Sequence, residues 1–205
     1  MALLSVNPVD LAHLIRERRE SGGDRYDEVW DGVYVMSPLA DNEHQRLGLA
    51  LSSAIHTALG SREDIQVFPG CNVSSRSQRW KRNYRCPDVA VFLPGNPAED
   101  RNTHWYGGPD FAVEIQSPYD RSREKFGFYA KVGVRELMFV ARRPWSLELY
   151  RRAGLEWQLV GKSEPAMESL LLKSAVFPLG FRLVPGTNRP RIEVSQIESS
   201  LCWLA

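Results

Sequence analysis

Apolar residues recur at helical spacing in three segments, each followed by or ending at a glycine. The longest segment, residues 41–60, presents one continuous apolar face, made of Leu47, Leu51, Ala54, Ile55 and Ala58. A capping-box pattern, Asn42 with Gln45, marks its start, and Gly60 marks its end. The spacing therefore predicts an amphipathic helix over this segment.

Two shorter helices are predicted on either side of it in the chain. The first would be capped by Asn7, begin at Pro8 and stop at the Gly22-Gly23 pair, with a narrow apolar face made of Leu11, Leu14 and Ile15. The other covers residues 120–133 and ends at Gly133.

Strands are predicted where polar and apolar residues alternate or where a short run is wholly apolar. Residues 109–118 alternate, whereas residues 84–94 contain a continuous apolar run and should form a central strand. Asp31-Gly32 is a strong two-residue turn signal for a hairpin.

The remaining segments complete a mixed architecture. Further strands are expected within 64–75, at 135–144 and 145–152 joined at Pro144, at 156–161 and irregularly over 174–186, with a loop over 95–108 and a short helix over 193–204. This order predicts an α/β or α+β sandwich whose sheet is covered by helices.

Composition limits the class of protein. With 205 residues, 43% of them apolar, the chain is expected to form one globular domain. No apolar stretch is long enough for a membrane span, and the N-terminus does not resemble a secretory signal, so a cytoplasmic protein is expected. Three cysteines without ligand spacing argue against a disulfide framework or a zinc site.

Two acids occupy strands that are otherwise apolar. Asp88 opens the run at 84–94, and Glu114 lies in the middle of the next strand, on the same face as Gln116. If the two strands are neighbours, the carboxylates converge and repel each other, and a divalent cation is the natural third member. Salt bridges, for example from Arg85 to Asp88, are the alternative.

The helix after these strands supplies a cation. Lys125 and Tyr129 are four residues apart and share one face. Only 5 of the 26 basic residues are lysines, so a lysine here is a less casual choice than an arginine. Two acids followed by a lysine suit phosphodiester hydrolysis, in which Mg²⁺ polarises the phosphate and activates water.

These residues resemble the PD-(D/E)XK nuclease superfamily, and most closely a branch of small, uncharacterised bacterial proteins described as restriction endonucleases. The resemblance spans residues 25–185 and rests on ordered short motifs, which are Glu28 with Asp31-Gly32, His44, Arg85-Cys86-Pro87-Asp88, Glu114-Ile115-Gln116-Ser117-Pro118, Lys125 with Tyr129, and Gly133-Val134-Arg135-Glu136.

The resemblance implies a restriction-endonuclease-like fold, a central mixed sheet flanked by helices with additional N- and C-terminal strands. It also implies one domain, with residues 25–185 as core, 1–24 as a helical lead and 186–205 as a tail. Asp88, Glu114 and the Ile115 carbonyl would bind Mg²⁺ or Mn²⁺, and Lys125 would stabilise the attacked phosphate.

Three further residues are candidates for the same site. Gln116 stands where the superfamily usually has its lysine, a role that the resemblance transfers to Lys125. His44 could reach the site or simply pack on its helix. Glu28 could point at the site or be a solvated hairpin acid, and Asp31 is expected to serve only the turn.

A basic segment precedes Asp88. Residues 74–85 hold five cations and no acid, with Trp80 and Tyr84 interleaved. Arginine, lysine and aromatic side chains suit a phosphate backbone and unpaired bases, so Arg79, Lys81, Arg82 and Arg85 are candidate DNA contacts. A solvated hairpin tip is the alternative.

The sequence thus predicts a metal-dependent endonuclease acting on DNA, plausible as a homodimer because cutting both strands needs two sites. Two other classes stay open. One is an inactive nucleic-acid-binding module of the same fold, favoured by Gln116, and the other is a structural protein whose acids are only salt-bridged.

Overall fold

The computed structural model describes residues 8–37, 40–60, 62–117, 121–166 and 169–205, which form three sheets and three α-helices. The helices are α1 (Pro8–Glu20), α2 (Asn42–Leu59) and α3 (Phe126–Val132). The strands are β1 (Glu28–Trp30), β2 (Val33–Val35), β3 (Gln66–Phe68), β4 (Val73–Ser74), β5 (Tyr84–Arg85), β6 (Val89–Phe92), β7 (Glu99–Asp100), β8 (Trp105–Tyr106), β9 (Phe111–Ile115), β10 (Glu136–Arg142), β11 (Trp145–Ala153), β12 (Glu156–Ser163), β13 (Leu172–Lys173), β14 (Leu179–Val184), β15 (Arg191–Gln196) and β16 (Cys202–Leu204).

A central mixed sheet carries the fold, with strand order β12-β11-β10-β9-β6-β3. Its one parallel pair, β9 with β10, is joined through α3, since parallel neighbours need a crossover connection. β6 pairs antiparallel with β9, opposing Val89 to Val113. The predicted α+β class is confirmed.

Both faces of the central sheet are covered. On one face, α2 and the four-stranded C-terminal sheet (β13-β14-β15-β16) share a core with Val113, Met138 and Phe181. On the other, α3 packs against Ala112 and Leu137. The alternation predicted for β9 is therefore real, and it directs Glu114 toward α3.

An N-terminal sheet of short strands, β2-β1-β5-β4-β8-β7, lies beside the α3 face. The predicted hairpin joins β1 to β2, and Asp31 and Gly32 have φ angles of 48° and 93°. These are the left-handed conformations that a type I′ turn requires. Glu28 and Trp30 lie on the same face of β1, where Trp30 Nε1 donates to Glu28 Oε2 at 2.6 Å.

Four sequence predictions need correction. Residues 84–94 form two strands, β5 and β6, in different sheets, because Pro87 cannot donate to a ladder. The loop at 95–108 contains the short strands β7 and β8. Residues 193–204 form strand and turn rather than helix, since Ile192 and Val194 alternate inward. The sheet is covered partly by another sheet, and not by helices alone.

Helix boundaries also differ in detail. The N-cap of α2 is Asp41, whose carboxylate accepts from the His44 amide at 2.8 Å, and not Asn42. The third helix begins as a 3-10 turn over Ser122–Lys125 and ends at Gly133 as predicted. Asn7, Pro118 and residue 120 lie outside the described residues. No helix within the described ranges is long and apolar enough to cross a membrane.

Candidate active site

Asp88, the residue before β6, lies beside Glu114 of the neighbouring strand β9. The Asp88 amide donates to the Val113 carbonyl at 2.9 Å, which continues the β6–β9 ladder by one residue. The Ile115 amide donates to Asp88 Oδ2 at 2.6 Å. The backbone thus fixes the Asp88 carboxylate next to the strand that carries Glu114, as the sequence predicts for neighbouring strands.

Lys125 and Tyr129 both bind Glu114 from above the sheet. Lys125 Nζ donates to Glu114 Oε1 at 3.0 Å and Oε2 at 2.8 Å, and the Tyr129 hydroxyl donates to Oε1. Their spacing of four residues brings both to the same carboxylate. Glu114 and Tyr129 are almost completely buried.

Glu28 is a third carboxylate in this cluster. Its Oε1 lies 2.9 Å from Lys125 Nζ, and its side chain also accepts from the Cys86 amide at 2.8 Å and Trp30 Nε1 at 2.6 Å. Glu28 is only 3% exposed, so it is not a solvated hairpin acid. The ammonium of Lys125 therefore bridges two carboxylates from different sheets.

His44 reaches the cluster from the first turn of α2. Its Nε2 lies 2.7 Å from Asp88 Oδ1, and its Nδ1 lies 3.4 Å from Ser117 Oγ. Arg142 on β10 binds the cap residue Asp41 at 2.8 Å and so holds this end of α2 against the sheet. His44 thus contacts the site rather than only packing on the helix.

Charge in this cluster is unbalanced. Burial raises the pKa of Glu114, to about 8, and repulsion from Asp88 and Glu28 adds to this, whereas Lys125 opposes it. Burial alone would lower the pKa of Lys125, but Glu114 and Glu28 outweigh burial and raise it. Lys125 therefore stays protonated, and added positive charge would favour the ionised form of Glu114.

A cleft of about 710 Å³ opens onto this cluster, lined by Glu28, His44, Asp88, Glu114, Ile115 and Lys125 among others. Within the described ranges, each oxygen of Asp88 makes one hydrogen bond and keeps a second lone pair, as does Glu114 Oε2. Hard oxygen donors beside excess negative charge fit Mg²⁺ or Mn²⁺.

The fit relies on two side chains. Among the residues that the structure describes, no three acidic, histidine or cysteine side chains are grouped to hold a metal ion. A metal between Asp88 and Glu114 would therefore take its other ligands from main-chain oxygen, such as that of Ile115, and from water. Magnesium commonly binds in this way, through one or two carboxylates with several waters retained.

Two sequence candidates do not join the cluster. Gln116 donates to Ser122 Oγ at 3.3 Å, which ties β9 to the turn before α3, and contacts none of the three carboxylates in the described part of the chain. The sequence predicts Arg85 as a DNA contact. In the structure Arg85 is only 4% exposed, so it is not available at the surface for such a contact. Its guanidinium packs over Trp30 and Phe128 and donates to the Val29 carbonyl at 2.9 Å.

The rest of the basic segment is exposed and is not part of the described lining of the cleft. Arg79, Lys81 and Arg82 lie on a 3-10 turn beside the β1–β2 hairpin, where the Gly32 amide donates to the Arg82 carbonyl. Lys81 lines a second depression that shares Arg25 with the cleft. Both surfaces therefore meet at Arg25.

Three cations line the cleft itself, and they are Arg25, Arg46 and Arg121. The sequence indicates Arg121 as added positive charge at the start of the third helix, but sequence reasoning missed Arg25 and Arg46. A usable signal was present, because each lies within four residues of a motif residue: Arg25 precedes Glu28, Arg46 follows His44 and Arg121 precedes Lys125. Because the three arginines are far apart in the sequence, the sequence does not show that they line the same cleft.

The α+β fold thus holds an acid–lysine cluster in a cleft. A family model described as "Uma2: Putative restriction endonuclease" matches residues 11–185. The chain therefore belongs to the Uma2 family. No curated protein matches it.

A solved structure supports the fold. It is described as that of "a putative nuclease belonging to DUF820 from Anabaena variabilis ATCC 29413", with a TM-score of 0.50 and 17% sequence identity. The similarity covers 65% of this chain and 75% of the other. The predicted nuclease-like fold is thus confirmed by family and by structure.

Proposed function

We propose that the protein is a metal-dependent endonuclease that hydrolyses DNA phosphodiester bonds. The observation that carries the proposal is the placement of Asp88, directly before β6, and of Glu114 on the adjacent strand β9, in one cleft, with Lys125 2.8 Å from Glu114. Membership of a family described as restriction endonucleases supports it.

Each residue has a definite part in this proposal. Asp88 and Glu114 would hold the metal, with the Ile115 carbonyl as a further ligand, and bound Mg²⁺ would polarise the phosphate and activate water. Lys125 would stabilise the negative charge that develops on the attacked phosphate. Glu28 keeps Lys125 in position, and His44 orients the Asp88 carboxylate through its 2.7 Å hydrogen bond.

The inactive binding module is less well supported than the enzyme. Its basis is Gln116 in place of the usual lysine, yet an ammonium reaches Glu114 from Lys125 instead. The site therefore keeps a positive charge, supplied by Lys125, although Gln116 replaces the usual lysine. DNA is the proposed partner of both the enzyme and the inactive binding module. A homodimer is proposed only for an enzyme that cuts both DNA strands.

Cleavage should require both the metal and Asp88. With Mg²⁺ or Mn²⁺ the purified protein is expected to nick plasmid DNA, and EDTA should stop the reaction. Asp88→Asn removes a metal ligand while keeping its shape, and should slow cleavage at least about tenfold, or about 1.4 kcal/mol of activation free energy.

Glu156→Gln is the matched control, because Glu156 is an exposed acid on β12. It should cleave like the wild type. Full activity in Asp88→Asn, or activity that EDTA does not affect, would contradict the proposed metal site.

The residues that bind DNA can be located from the salt dependence of binding. Replacing Arg25, Arg46 and Arg121 by alanine should weaken binding and reduce the log–log salt slope by roughly 0.7–0.9 for each phosphate that is no longer neutralised. Replacing Arg79, Lys81 and Arg82 tests the basic segment in the same way. The control is Lys173→Ala, at an exposed lysine on β13. If the salt slope does not change when one of the two groups of basic residues is replaced, that group does not bind phosphate.

A further inference from the structure

Part of the lining of the cleft is apolar and open to solvent. Leu49 on α2 is 63% exposed and Tyr26 is 38% exposed, and both line the cleft together with Met36 and Pro69. These four side chains are called the apolar wall. A phosphate backbone alone gives no reason for these side chains, because it offers charged and polar groups. The carboxylate cluster lines the same cleft, so a ligand on this wall would lie next to the cluster.

The wall is held in shape by its neighbours. A Cβ atom on Gly70 would lie 3.2 Å from Tyr26 Cε1, so the glycine lets the ring pack closely against the β3–β4 connection. The φ of Gly70 is 81°, a conformation that suits glycine. Leu49 is fixed by its helix, five residues after His44.

We propose that this wall is a subsite for one unpaired nucleobase next to the scissile phosphate, so that the substrate is single-stranded or locally unpaired DNA. The proposal rests on the proposed function and adds the substrate class. Base faces become accessible to apolar side chains only when they leave the stack.

Size and charge agree with this occupant. The cleft as a whole, with a volume of about 710 Å³, holds both the apolar side chains and the carboxylate cluster, so it has room for a base beside the cluster. Arg25, Arg46 and Arg121 line the same cleft and supply charge complementary to the phosphates on either side of the base. Neither Arg25 nor Arg46 is in an ion pair with any residue that the structure describes.

Binding of defined DNAs tests the subsite without cleavage. Fluorescence anisotropy in EDTA would compare a short single strand, its duplex and an abasic backbone of equal length. The wild type should bind the single strand about tenfold more tightly than the abasic backbone. Leu49→Ala and Tyr26→Ala should each remove most of that difference and leave abasic binding unchanged. Leu155→Ala, at a leucine 73% exposed in the β11–β12 turn, should change nothing.

The outcomes separate this proposal from the proposed function. Equal binding of single strand and abasic backbone, or no effect of Leu49→Ala and Tyr26→Ala, would overturn the subsite even if the protein cleaves DNA. Base-dependent binding without metal-dependent cleavage would overturn the proposed activity alone. Both leucines and Tyr26 are exposed, and thermal melts would verify that the variants fold.

Discussion

Lys125→Met is expected to destabilise the protein by about 3–5 kcal/mol at neutral pH and to reduce any cleavage by roughly 10²–10³-fold. The ammonium is bonded to Glu28 and Glu114, which are 3% and 4% exposed. Without it, two buried carboxylates face each other and Asp88 with no ammonium bonded to them. Protonation of Glu114 relieves part of the repulsion, so the loss of stability should grow as the pH rises.

Urea unfolding of both proteins in EDTA at several pH values measures the effect, and nicking assays measure the activity. Lys162→Met, at an exposed lysine paired with Glu164, should leave both unchanged. A Lys125→Met protein as stable as the wild type at every pH would show that the bridge contributes nothing to folding.

The metal-free protein should lose stability as the pH rises from about 5 to about 8. Burial raises the pKa of Glu114 from its ordinary value of 4.5 to about 8, so the folded state holds a proton that the unfolded chain releases. The stabilisation from this proton is complete below the pKa of Glu114 in the unfolded chain. It is lost as the pH rises toward the pKa of Glu114 in the folded protein. A change on the order of 2–4 kcal/mol is expected from this group.

Glu114→Gln cannot ionise and should therefore show a flatter profile. Burial lowers the pKa of His104, which works in the opposite direction over part of this range. The wild-type curve minus the Glu114→Gln curve removes that contribution, because His104 is present in both. Parallel curves would mean that Glu114 has an ordinary pKa and that the charge imbalance is smaller than the geometry indicates.

The sequence was informative wherever periodicity and chain neighbours decide the structure. The alternation of Phe111, Val113 and Ile115 predicted which face of β9 carries Glu114, and the spacing of Lys125 and Tyr129 predicted their common face. The contact between the Asp88 region and the Glu114 strand could be expected, because the two segments are close in the sequence. These are local rules, and tertiary packing did not override them here.

Contacts between distant segments could not be predicted in the same way. Nothing local shows that Glu28 would share Lys125 with Glu114, since β1 belongs to another sheet. Arg85 lies in a basic segment typical of a DNA contact, but its guanidinium is buried over Trp30 and Phe128, which the sequence does not show. The segment at 193–204 was ambiguous because a short apolar pattern fits either a helix or a strand until its partner is known.

The break at Pro87 has a consequence for engineering the protein. Residues 84–92 cross from the N-terminal sheet to the central sheet, with Asp88 at the crossing. A circular permutant or split version cut in this segment would therefore separate Asp88 from one of the two sheets that position it. The β11–β12 turn at Gly154 and Leu155 is exposed and contributes no residue to the cleft, so it is the better place to open the chain.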